Sequence, residues 1–158
     1  MNTDKQTADM EVKLSTLWIF AMFNYLYADV VGLMDPEGLR QIMTGTVGSL
    51  HITQGFLLGA AILMETAIAM VLLSRVLPYR ANRWANIIVG ILHTVAVISS
   101  LFVGTPTLYY LFFGTIEVVC TSFIVWYAWT WKPGAASAVG VDDFLVHSEQ
   151  PNTHGGLR

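Results

Sequence analysis

Charge is what this chain has least of. Lys and Arg number 8 and Asp and Glu 11 among 158 residues, so that 12% of the chain is charged and 54% hydrophobic, where a soluble domain carries roughly 25% charged residues. With a mean hydropathy well above zero, the chain reads as an integral membrane protein. No basic surface interleaved with aromatics is present, which leaves nothing to bind nucleic acid. Cysteine is scarcer still. Cys120 stands alone, so an intrachain disulfide and a Cys-x-x-Cys redox pair are both excluded, and with them thiol chemistry through paired cysteines. Also missing are a nucleophile elbow, a Gly-rich phosphate loop, a rhomboid-like serine and histidine pairing, and the internal repeat of a transporter with inverted halves. The sequence leans away from an enzyme.

What is present is long apolar runs. A hydrocarbon core needs about 20 mostly apolar residues of helix, and four segments qualify, at about 14–34, 52–74, 84–103 and 108–131. The first is not read as a cleaved signal peptide, because Asp4, Asp9 and Glu11 precede it and Asn24 and Asp29 lie within it. The expected fold is an all-α integral membrane protein, a four-transmembrane-helix up-down bundle at 14–132. A short N-terminal tail (1–13) precedes it, and a flexible C-terminal tail rich in Gly, Ala, Ser and Pro (133–158) follows. In that arrangement Lys5, Lys13, Arg75, Arg80, Arg83, Lys132 and Arg158 share one side and Arg40 stands on the other. Excess positive charge marks the cytoplasmic face, so both termini are expected to be cytoplasmic and the location to be the cell's inner (plasma) membrane. Trp18, Tyr79, Trp84, Trp126, Tyr127, Trp129 and Trp131 are expected at the inner interface, and Tyr109 and Tyr110 at the outer one.

The outer connections carry local signals. In "DPEGLRQIMTGTVGSLH", Asp35 reads as an N-cap with Pro36 at the first helical position, and Leu39, Ile42, Met43, Val47 and Leu50 fall on one helical face. Such a helix either rests on the helices as an ordinary loop would or lies over a site as a lid, with Gly45 and Gly48 weakening it. In "LFVGTPTLYY", Gly104 and Pro106 break the chain and Thr107 is placed to cap the fourth helix. Gly55 and Gly59 suggest a close helix crossing.

Each span carries one strongly polar residue to about the same depth: Asn24, Glu65, His93 and Glu117. An ionisable group at the bilayer centre costs about 2.5–3.5 kcal/mol even on insertion scales, so all are expected to face inward together. Residues on the same faces are small: Ala61 and Ala69 beside Glu65; Asn86, Gly90 and Ser100 beside His93; Gly114, Cys120 and Thr121 beside Glu117. Tyr25 and Asp29 are four apart on the first span, and Asp29 lies toward the outside, either as an entrance to the polar layer or as a hydrated carboxylate held by Tyr25 or Tyr27. Metal is not expected, because the Glu-x-x-His pairs of di-iron bundles and the paired histidines of a haem site are both absent. His147 and His154 are too isolated in the tail to ligate one.

The stretches "LWIFAMFNYLYADVVGLMD" and "GAAILMETAIAMVLLSRVLPYRANRWANIIVG" resemble a family of small bacterial four-helix membrane proteins of unknown function over roughly residues 12–132. More loosely, the glutamate-centred second span and the Arg-bearing turn after it are similar to the DoxX-like proteins, a likeness that implies quinone or thiol redox partners. No catalytic residue carries over from either group. The reading that results is a buried polar site of Asn24, Tyr25, Asp29, Glu65, His93 and Glu117 that binds a small molecule or handles protons. Its alternative is a redox-associated or scaffold subunit of a membrane complex, with a purely structural polar layer and quinone as the one cofactor in view. Expected partners are membrane lipids, a small-molecule ligand, and copies of the chain or other subunits of a complex.

Overall fold

The computed structural model describes residues 3–103 and 106–132, and is almost entirely helical. Five helices form: α1 Thr3–Met34, α2 Pro36–Thr44, α3 Gln54–Val76, α4 Tyr79–Ser100 and α5 Leu108–Thr130. Four of them, α1, α3, α4 and α5, are long and apolar enough to cross a membrane, which makes this a multi-pass membrane protein by length and composition. The helix of α1 begins at Thr3, so residues before 14 extend the first helix instead of forming a separate tail. α4 likewise begins at Tyr79, five residues before the expected span, directly after the Leu77–Pro78 turn. The C-terminal tail, with His147 and His154, and the break at Gly104 lie outside the described residues.

Each membrane-length helix buries one stripe. On α1 it is Leu14, Trp18, Ala21 and Tyr25, spaced four, three and four apart; on α5 it is Gly114, Glu117, Cys120, Thr121, Ile124 and Ala128. α4 is packed most closely against α5, and α1 lies against both α3 and α5. Gly90 permits the α4–α5 approach: a Cβ there would stand 2.7 Å from Val125 Cγ2, closer than packed atoms tolerate. α3 and α4 follow each other in sequence yet touch far less. The GxxxG step does not make the expected crossing, since nothing lies within 4 Å of a Cβ built on Gly59.

The outer segment is part helix, part hairpin. Asp35 Oδ1 accepts the Glu37 backbone N–H at 3.4 Å and Pro36 takes the first helical position. Gly45, at φ 74°, ends α2 in the left-handed conformation that glycine adopts without strain. Val47 and Leu50 therefore leave the helical face assigned to them and pair in a two-stranded hairpin, Thr46–Val47 against Leu50–His51. Thr53 caps α3 by accepting from Phe56 N at 3.1 Å. Thr107 holds the N-cap position of α5, but its side chain makes no capping bond.

Candidate functional site

Two polar groupings lie inside the helices. The first sits near the α3–α4 turn, where the buried amides and hydroxyls are bonded. Asn86 donates to Asn82 Oδ1 at 2.7 Å and to Asn82 O at 2.9 Å, and its own Oδ1 accepts from Trp18 Nε1 at 2.8 Å and Ser74 Oγ at 3.3 Å. Asn82 donates onward to Ser74 O at 2.7 Å, and Ser15 Oγ donates to Val71 O at 2.8 Å. Ser15, Ser74, Asn82 and Asn86 are all buried, and their bonds tie α1, α3 and α4 together at one end. Trp18, expected at the interface, is wholly buried here as a donor to Asn86, and Trp131 is buried against Tyr79, whose hydroxyl donates to Trp131 O at 2.7 Å. Arg83 closes the same end by donating from Nη2 to Trp129 O at 3.0 Å, while its Nε is buried without a partner among the described residues. Carbonyls left over at the end of α5 thus find donors on α4.

The second grouping begins about two turns further along, at His93. The Thr66 hydroxyl lies 2.6 Å from Leu63 O and 3.1 Å from His93 Nε2. The ring is held against two aromatics of α1, edge-on to Trp18 at 5.5 Å and tilted on Tyr25 at 5.6 Å between centroids. Glu117 and Cys120 on α5 lie within electrostatic range of Tyr25. Cys120 Sγ points to Leu17 O at 3.4 Å, and Thr94 donates to Thr121 Oγ1 at 2.7 Å, which lashes α4 to α5 beside the cluster. Tyr25 Oη and Glu117 Oε1 differ from everything around them. Both atoms are buried, and neither has a hydrogen-bond partner among the described residues.

The expected six residues are therefore divided. Tyr25, His93 and Glu117 come together in the interior, and Asp29 stands one turn beyond Tyr25 at the exposed far end of α1, within electrostatic range of Glu117. No bond joins Asp29 to Tyr25, whose hydroxyl is unpaired. Asn24 does not join them: its Nδ2 donates back to Phe20 O at 2.9 Å, on its own helix. Glu65 faces away altogether. It is exposed, and its alignment with Ala61 and Ala69 holds on the outer side of α3, opposite the stripe of Ala67, Met70 and Ser74. The expectation that it turns inward fails because the next residue, Thr66, is rotated by about 100° and takes the inward position beside His93. Sequence reasoning missed Thr66 and Asn82 and read Asn86 only as a neighbour of His93. Their common signal was visible: polar residues at 82, 86 and 93 mark one face of α4. Among the described residues no group of three His, Cys, Asp or Glu side chains is placed to hold a metal ion.

The model of a family of unknown function, DUF6326, matches residues 4–138. The chain belongs to this family. No curated protein and no solved structure matches it. The likeness to proteins of unknown function is thus given a definite family, whereas the looser likeness to DoxX-like proteins gains no support from these matches.

Proposed function

We propose that the protein binds a small polar molecule or passes protons within the membrane, at the interior site formed by Tyr25, His93 and Glu117. The observation that carries this reading is the pair of buried, unbonded atoms, Tyr25 Oη and Glu117 Oε1, in a protein whose neighbouring buried amides are all bonded. Buried polar atoms are almost always paired, and an unpaired one costs about 1–3 kcal/mol. A phenol and a carboxyl kept in that condition offer a donor and an acceptor to something from outside the chain. His93 adds an imidazole whose Nε2 is in contact with the Thr66 hydroxyl. Asp29, one turn nearer the α1–α5 end, is the natural access point. Beyond it an open groove of about 380 Å³ is lined by Val31, Met34, Asp35, Thr107 and Tyr109.

The charge bias supports an up-down arrangement in the inner membrane with both termini cytoplasmic, which makes Asp29 and this groove face outward. Proteoliposomes carrying an internal pH indicator test the reading. An imposed pH gradient should collapse faster with the protein than in empty liposomes, and Glu117→Gln, which keeps shape but cannot titrate, should remove the difference. Equal rates for the native protein and Glu117→Gln would reject proton passage through this carboxyl and favour the scaffold alternative.

A further inference from the structure

Glu65 is the central residue of α3 (Gln54–Val76) and is exposed on the side of that helix turned away from the other helices. At 1.5 Å per residue it lies about 16 Å from either end, much too far for a glutamate side chain to reach water by bending along the helix. No group among the described residues bonds its carboxyl. Lipid offers it no partner either, and a carboxyl at this depth is not left facing hydrocarbon. The residues around it form a pattern. Leu58, Ala61, Glu65, Ile68 and Leu72 are all exposed and are spaced three, four, three and four apart, the spacing of a seam for a second, nearly parallel-axis helix. Ala61 and Ala69 keep the surface beside Glu65 low, as close helix packing in lipid requires.

We propose that this seam is the contact between two copies of the chain, with α3 packed on α3 and the two Glu65 carboxyls hydrogen-bonded to each other across a two-fold axis. A two-fold contact brings a residue at its axis against itself, so the partner has to suit a carboxyl with a carboxyl. It does so when one is protonated and donates to the other, or when both are and each donates and accepts. A partner with a cation at this depth is not available from a second copy, because the basic residues of the described spans lie at Lys5, Lys13, Arg75, Arg80 and Arg83, toward helix ends. One polar residue in an otherwise apolar seam also fixes its register. This contact lies on the opposite side of α3 from Thr66 and His93 and does not depend on the function proposed for the interior site.

Disulfide trapping in liposomes tests it, using the full chain with Cys120→Ala as background. Ala61→Cys and Ile68→Cys should each form covalent dimers on oxidation, whereas Ile91→Cys on α4 and Phe112→Cys on α5, both exposed, should form at least tenfold less. Adding Glu65→Leu should reduce trapping at both α3 positions at least tenfold with the helical content unchanged, and adding Glu65→Gln, which keeps a donor and an acceptor, should preserve it. Trapping that is absent at 61 and 68, or equal at all four positions, overturns the proposed surface. Trapping that survives Glu65→Leu, or is lost in Glu65→Gln, overturns the hydrogen-bonded pair.

Discussion

Two regions of the helix interior, one near the α3–α4 turn and one near mid-helix, use polar residues in opposite ways. Near the α3–α4 turn, Asn86 makes four hydrogen bonds and leaves nothing over, with Trp18, Ser74 and Asn82 as its partners. About two turns along, Tyr25 and Glu117 bury an oxygen each without a bond. Membrane helices gain little from apolar contact with one another, so packing and hydrogen bonds hold them together. A satisfied cluster of that kind is a fastening. An unsatisfied one, maintained at a cost beside it, is where a site belongs.

The comparison is most easily broken at the fastening. Asn86→Leu removes the partner of Trp18 Nε1 and Ser74 Oγ together, and should destabilise the protein by about 2–3 kcal/mol, seen as a lowered unfolding midpoint in detergent. Next in size is the helix contact that carries both groups. Gly90→Ala places a methyl against the stiff Val125 side chain and should cost about 1–2 kcal/mol, most of it recovered in the Gly90→Ala, Val125→Ala double variant. Tyr25→Phe sharpens the contrast from the other side: it deletes a hydroxyl that bonds nothing, so stability should stay within about 0.5 kcal/mol of the native protein or rise. The smallest effect lies outside the helices, on α2. Arg40 and then Gln41 bond the Glu37 carboxylate and hold it down at about 2 from 4.5. A lowered carboxylate stabilises the folded state fully above its ordinary value and loses that contribution as pH falls toward 2. Because the pair is exposed and screened by salt, only α2 should respond, with its amide exchange protection reduced at pH 2.5 relative to pH 5 and the difference absent in Glu37→Gln.

Much of this was legible in the sequence, for identifiable reasons. Length and hydropathy find the four membrane helices, and Asp35-Pro36 marks the start of α2, because capping chemistry is local; its end at Gly45 was passed over, since the apolar face was carried on to Val47 and Leu50. His93 and Glu117 were readable as inward residues since small neighbours share their faces. Glu65 was not. In α3 the inward and outward faces are both apolar, so periodicity cannot choose between them, and the cost of a carboxyl in lipid excludes lipid without distinguishing the protein's own interior from the surface of another chain. Asn24 failed for a different reason: its Nδ2 bonds its own helix four residues back, which turns the amide away from the interior site, and depth alone does not reveal that. Trp18 shows the same limit for aromatics, since a ring expected at the interface serves equally well as a buried donor when an amide lies opposite.

The claim that the buried oxygens at Tyr25 and Glu117 belong to a site, and do not hold the helices together, is tested most directly by the unfolding free energy of Glu117→Leu, measured beside Asn86→Leu in the same detergent. Leucine is close in size and needs no hydrogen bond, so the account predicts a Glu117→Leu protein as stable as the native one or more stable, while Asn86→Leu loses about 2–3 kcal/mol. A loss at Glu117→Leu as large as that at Asn86→Leu would contradict it, and would make Glu117 one more fastening.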